Sequence, residues 1–172
     1  MFEFLGLGKF DKILSRFENI PLDVFEGSCV CVRDKAAKCK YCVDNCPVSA
    51  IKIIDNHPEI DMSKCNGCGI CANVCPTGVF ELKEIPDDKL LSRIEAALNH
   101  TKILTLTCGK TQRSNNNPEL KNAITVSCIG RVNEAVLIGS VVLGASTIWL
   151  NGSNCDECNQ KQGLEVAGKV VS

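Results

Sequence analysis

Aromatic residues are scarce: they make up 5% of the 172 residues, with one tryptophan, Trp149, and one tyrosine, Tyr41. A core built from this chain is therefore aliphatic, and the length allows one domain or two small ones. Histidine is limited to His57 and His100, so no nucleophile–base pair stands out for hydrolytic or acyl-transfer chemistry. The net charge of −1 gives no electrostatic footprint for a nucleic-acid partner. No segment is long and apolar enough for stable membrane insertion. The longest apolar run, residues 135–150, is too short and is broken by Ser140, Gly144, Ser146 and Thr147. No G-x-G-x-x-G follows a strand signal, so neither flavin nor NAD is expected. The opening Met1-Phe-Glu-Phe-Leu lacks a basic leader and meets acids at Glu3 and Asp11, which makes the cytoplasm the expected compartment.

What the chain has is cysteine, thirteen in all. An odd number without a secretory leader fits a disulfide scaffold poorly. Their clustering instead suits metal binding in a reducing compartment. Cys65-Asn-Gly-Cys68-Gly-Ile-Cys71-Ala-Asn-Val-Cys75-Pro76 reads C-x₂-C-x₂-C-x₃-C-P without a gap. Three thiolates at this spacing can wrap one cubane, while the fourth, set off by a turn and a proline, serves another. A zinc ribbon would want two separated C-x₂-C pairs. A related copy precedes it: Cys39-Lys-Tyr-Cys42-Val-Asp-Asn-Cys46-Pro47. Each copy is followed by a strand signal, Ala50–Ile54 and Gly78–Leu82, and Asp55-Asn-His57-Pro58 marks a turn.

Residues 23–82 resemble the bacterial-type two-cluster ferredoxin domain. That resemblance implies a pseudo-twofold α+β fold with two [4Fe-4S] clusters and crossed ligands: Cys65, Cys68, Cys71 and Cys46 on one, Cys39, Cys42, Cys75 and a further cysteine on the other. The family places that further cysteine where this chain has Ala36. Cys29 and Cys31 lie upstream, and either can supply it if the intervening residues loop out. Cys31 is preferred, because the shorter insertion costs slightly less ordering entropy. A three-cysteine site is the remaining alternative. Gly67, Gly69 and Gly78 are expected to let the backbone approach the sulfurs.

Outside that unit, Phe10, Ile13, Leu14 and Phe17 form a helical stripe within residues 1–22, which either covers the core or docks a partner. Pro86-Asp87-Asp88 starts a connector helix in residues 83–101, with Leu90, Leu91, Ile94, Ala97 and Leu98 on one face, expected to pack between two domains. In residues 102–172, strand signals at 103–107, 123–127 and 147–150 alternate with a helix capped by Asn133 and ending near Gly144. Such alternation predicts a small parallel sheet, whose strand carboxyl ends share one edge. Cys108, Cys128, Cys155 and Cys158 each follow a strand and should gather there. Asp156 and Glu157 between the last two disfavour a nucleophilic thiolate, so a metal group is preferred to a thiol-redox pair. The donor set alone leaves [2Fe-2S], [4Fe-4S] and zinc open. Trp149 and Tyr41 read as packing residues.

Cys128-Ile-Gly-Arg131-Val, the helix ending at Gly144-Ala145 and the strand running to Cys155-x-x-Cys158 look like the small iron–sulfur (delta) subunit of methyl-viologen-reducing hydrogenases. The likeness covers roughly residues 102–160 and implies a [2Fe-2S] cluster on Cys108, Cys128, Cys155 and Cys158. The chain departs from that family in the asparagine-rich loop 114–117 and in its single Cys108. The combined expectation is an α+β chain: a two-cluster ferredoxin-like domain followed by a small α/β domain. It relays single electrons for a larger redox enzyme of the hydrogenase, heterodisulfide-reductase-like or molybdenum/tungsten type. A free carrier, a cluster-delivery protein and a thiol-disulfide reductase are the competing classes.

Overall fold

A computed structural model of the chain describes residues 21–109, 123–153 and 155–171. The helical stripe at Phe10–Phe17 and the loop 114–117 lie outside the described residues.

Two short antiparallel ladders frame the first unit. Strand β1 (Leu22–Val24) leads through a 3₁₀ turn (Glu26–Ser28) into helix α1 (Val30–Arg33) and helix α2 (Tyr41–Asp44). Strands β2 (Ile51–Ile54) and β3 (His57–Ile60) form a hairpin with Ile54 opposite His57. Its two linking residues, Asp55 and Asn56, have φ of 49° and 70°. Asp and Asn tolerate this left-handed backbone best among non-glycine residues, and its twist matches that of the flanking strands. Helix α3 (Ile70–Val74) follows, then strand β4 (Phe80–Leu82), which returns to pair with β1, Leu22 opposite Leu82. The buried side chains here are as much cysteine as aliphatic: Leu22, Ile51, Val79, Phe80 and Leu82 share their core with Cys29, Cys31, Cys42 and Cys71. Strand β1 is absent from the sequence-based expectations. A three-residue strand reads as nothing until its partner is known.

Helix α4 (Asp87–Leu98) starts after Pro86, with Asp87 and Asp88 in its first turn. Its Leu90 and Ile94 are fully buried, but not between two domains as expected. They enter the core of the second unit, a three-stranded parallel sheet in the order β6 (Ile124–Val126), β5 (Ile103–Cys108), β7 (Thr147–Asn151). Leu104 and Leu106 face that core with Ile124, Val126 and Val136. Helix α5 (Glu134–Val142) is capped as the sequence implies, the Val136 N–H donating to Asn133 Oδ1 at 2.9 Å. It lies close to α4, where a Cβ on Gly139 would sit 2.7 Å from Leu91 Cδ2. Helix α6 (Gln162–Val171) has no counterpart among the expectations; it packs back on a 3₁₀ turn (Ile129–Arg131) and on α3. Trp149 and Tyr41 are 63% and 60% exposed, so neither is a packing residue. Each sits where the polypeptide turns a side out: Trp149 on a flanking strand, Tyr41 at the start of a one-turn helix. Among the described residues no helix is long and apolar enough to cross a membrane.

Candidate metal centres

The cysteines surround three cavities. Cys46, Cys65, Cys68 and Cys71 line one, beside Leu22, Ile51 and Ile70. A second is lined by Cys39, Cys42, Cys75 and Cys29. The crossing expected from the duplicated motif is therefore present as geometry: Cys46 leaves its own run to join the later three, and Cys75 joins the earlier pair. Both crossing cysteines receive the same backbone bond. The Ala50 N–H donates to Cys46 Sγ at 3.2 Å and the Val79 N–H to Cys75 Sγ at 3.4 Å, each four residues on. Gly67, Gly69 and Gly78 hold φ of 66°, 80° and 65°. At Gly69, which starts α3, a Cβ would come within 2.7 Å of Leu82 and 2.9 Å of Arg131 Cβ, so only glycine fits.

Cys31 does not line the cavity shared by Cys39, Cys42 and Cys75; Cys29 does. Loop length favours Cys31, whereas the cavity lining favours Cys29. Residues 30–33 wind into α1, which carries Cys31 to the inner side, where its Sγ donates to the Cys39 carbonyl at 3.4 Å. Cys29 stands at the helix start and turns towards Cys42, whose thiol senses it.

The third cavity, about 580 Å³, is lined by Cys108, Cys128, Cys155 and Cys158. Register explains the gathering. Thr107 pairs with Thr125 on one side and Asn151 on the other, so all three strands end level. Cys108 closes β5, Cys128 follows β6 by two residues, and Cys155 follows β7 by four. The Gln160 N–H donates to Cys158 Sγ at 3.4 Å. Two glycines make room: a Cβ on Gly163 would lie 2.6 Å from Cys128 Sγ, and one on Gly152 would lie 3.2 Å from Cys155 Sγ.

This third cavity adjoins the Cys68 loop. Cys68 and Cys128 share a small core with Ile70 and Val166. Ser127 Oγ donates to the Cys68 carbonyl at 3.1 Å. Asn73, between two cysteines of the second motif, donates through Nδ2 to the Gly130 and Val132 carbonyls at 2.8 and 3.0 Å. Neither these clamps nor the buried Arg131 can be read from the sequence. Asn73 is visible there only as a spacer between cysteines, and nothing local says what a spacer will touch.

Electrostatically the thiols are costly to ionise on their own. Burial pushes Cys42 up to about 11, reinforced by the Cys75, Cys39 and Cys29 sulfurs. Burial raises Cys68 to about 11 and Cys128 to about 12, with neighbouring cysteines adding to both, and it raises Cys71 further still. Without a metal these groups stay protonated at neutral pH, so a bound metal must displace protons and supply the positive charge that holds the thiolates together. No disulfide joins any of the described cysteines. Nor, among the described residues, do three or more His, Cys, Asp or Glu side chains converge tightly enough for a single ion; the cysteines ring cavities instead. All-thiol rings with backbone N–H groups aimed at sulfur fit iron–sulfur clusters, whose corners each take one thiolate.

Comparison with known proteins places the duplicated motif. The family described as 4Fe-4S dicluster domain matches residues 36–79. A component of the ion-translocating oxidoreductase complex of Methanosarcina acetivorans is 42% identical over 45 residues, 26% of this chain and 17% of the relative. Pyruvate synthase subunit PorD of Methanothermobacter marburgensis is 39% identical over 51 residues, 30% of this chain and 59% of the relative. An uncharacterised ferredoxin of Methanocaldococcus jannaschii is 36% identical over 50 residues, 28% of this chain and 81% of the relative. The chain thus spans less than two thirds of the first two relatives and most of the third. No solved structure matches.

Proposed function

Because the chain belongs, through residues 36–79, to the 4Fe-4S dicluster ferredoxins, we propose that it is an electron-transfer subunit that relays single electrons within an oxidoreductase complex and makes or breaks no substrate bonds itself. One observation carries the reading. Twelve of the thirteen cysteines line three cavities, four to each, and only Cys31 is left over. We assign a first [4Fe-4S] cluster to Cys29, Cys39, Cys42 and Cys75, and a second to Cys46, Cys65, Cys68 and Cys71. The third site, Cys108, Cys128, Cys155 and Cys158, is assigned a [2Fe-2S] cluster, on the likeness of residues 102–160 to the hydrogenase delta subunit. When bound, the clusters supply one-electron redox chemistry. The protein's part is to hold them at fixed spacing, exclude water and direct N–H groups to sulfur.

The order along the relay follows from packing. The second site touches the first through the crossed motifs and the third through the Cys68–Cys128 contact. The reading thus places it in the middle, with the outer sites facing donor and acceptor. Membership of larger assemblies among the relatives, an ion-translocating oxidoreductase complex and pyruvate synthase, supports a redox-enzyme partner for this chain. A thiol-redox role for Cys155 and Cys158 is disfavoured. Burial raises the Cys155 thiol, and Cys108, Cys158 and Asp156 raise it further, the reverse of an activated nucleophile.

Anaerobic iron, sulfide and zinc analysis, with EPR of reduced protein, tests the assignment. The expected count is about ten irons per chain, from two cubanes and one [2Fe-2S] cluster. About eight irons with one zinc would remove the third cluster, and a colourless protein would end the whole reading.

A further inference from the structure

Arg131 is the most deeply buried charge in the described protein, at 2% exposure, and the redox reading gives it no task. Its Nη1 donates to the Ile85 carbonyl at 2.8 Å, and its Nη2 pairs with Asp87 Oδ1 at 2.6 Å. The buried Nε–H finds no acceptor. The same residue lines the cavity of Cys108, Cys128, Cys155 and Cys158, where it is the one cation among the described lining residues; Glu84 is the one acid. On its other side, its Cβ lies against Gly69, next to Cys68 of the second site.

Burying such a charge beside an ion pair is weak evidence for stability, because desolvation offsets the attraction. The pair is also lopsided. The Arg131 side chain is 1% exposed, while that of Asp87 is 40% exposed. Water screens the carboxylate and leaves the guanidinium's field largely intact on the protein side, where the cavity lies. We infer that Arg131 is a potential-setting residue for the group held by Cys108, Cys128, Cys155 and Cys158, favouring its reduced form so that an electron arriving past Cys68 comes to rest there. This rests on the reading that these four cysteines hold a cluster. The step it governs is one electron passing from the second site to the third. No bond forms or breaks, no proton moves, and the third site gains one unit of negative charge, which the cation stabilises.

Potentiometric EPR titration of the full, cluster-loaded chain tests this with a pair of variants. Arg131→Gln leaves Asp87 uncompensated, so the third site becomes harder to reduce. Asp87→Asn leaves Arg131 uncompensated, so it becomes easier to reduce. Arg131→Gln is expected to move the oxidised-to-reduced ratio at a fixed poise by roughly tenfold, the scale of a unit charge about 12 Å away in a medium of effective dielectric near 20, and Asp87→Asn, whose carboxylate water screens, by less. The first cluster should not respond. Both variants break the same ion pair, so a purely structural role shifts both the same way or neither, and either result overturns the inference. If Arg131→Gln does not fold, Asp87→Asn decides alone: a rise supports the inference, while no shift or a fall overturns it. Wild-type protein with about eight irons and no third signal would sink the underlying cluster assignment, and this inference with it; three normal signals with unmoved potentials would sink the inference only.

Discussion

Residues 22–82 and residues 103–171 collect cysteines by opposite means. In the first unit, spacing does the work. Cys65, Cys68 and Cys71 sit in one tight loop that opens into α3, and their cavity needs only Cys46 from elsewhere. In the second, no two of Cys108, Cys128 and Cys155 are close in sequence, and the level ends of three parallel strands bring them together. The cores differ in the same way. The first contains Cys29, Cys31, Cys42 and Cys71 among its buried members; the second is mostly Leu, Ile and Val, with Cys155 alone. A unit whose core is made of ligands depends on what they bind, whereas a unit with an aliphatic core can stand without its metal.

The largest expected effect follows from that difference. Stripping the protein of iron should unfold residues 22–82 while β5, β6, β7, α4 and α5 stay formed. Amide hydrogen exchange on metal-free protein would show protection lost in the first unit and kept in the second; uniform loss would mean that the two units fold as one. Next in size is the contrast between two neighbours. Cys29→Ser should abolish or alter the first cluster, with loss of up to about four irons, whereas Cys31→Ser should leave iron content and EPR unchanged. The reverse result would restore Cys31 as the ligand.

Smaller effects bear on the seam between the units. Gly130→Ala would put a Cβ 2.5 Å from Gly163 Cα and 2.9 Å from Ile70. Backbone leaves little room to give, so a destabilisation of about 1–3 kcal/mol is expected, read by denaturant unfolding of the loaded protein, with the third EPR signal perturbed more than the first. Asn73→Ala would strip two buried carbonyls of a donor, at a cost of about 1–3 kcal/mol, and should leave the iron count intact. The pH response is the mildest. Cys42 and Cys68 are raised to about 11 and Cys128 to about 12. In the metal-free protein the second unit stays folded, so Cys128 holds its proton more tightly there than in the unfolded chain, and the stability it contributes is present below pH 9 and lost as pH rises towards 12. Cluster binding runs the other way: it expels protons, so retention should weaken as pH falls, visible as faster bleaching in acid.

Local signals carried the first unit a long way. The two motif copies and the strand signals after each copy are set by neighbours within a few residues, and the structure has them; the turn expected over Asp55–Pro58 is confined to Asp55 and Asn56, because His57 and Pro58 belong to β3, and the crossing of Cys46 and Cys75 was implied by the resemblance alone. Loop entropy, which favours Cys31, takes no account of the one-turn helix α1, whose winding sends alternate residues to different sides and leaves Cys29 on the cavity lining. In the second unit, the order and end-point of the strands were legible from alternating patterns, and Asn133 from its capping chemistry. Helix α6, the glycine contact between Gly130 and Gly163, and the burial of Arg131 against Ile85 and Asp87 were not, since each depends on residues 30 or more positions away.

By itself the sequence determined the donor set: thirteen thiols and two copies of a cluster-binding motif. Tertiary structure decided the partition: which cysteine lines the first cavity beside Cys39, Cys42 and Cys75, that Cys68 and Cys128 meet in one small core between the second and third cavities, and that a buried cation stands beside it. The physical reason is range. Ligand spacing and turn geometry act over a few bonds and are written in the local order of residues, whereas the field and packing at that small core come from side chains that only the folded chain brings together.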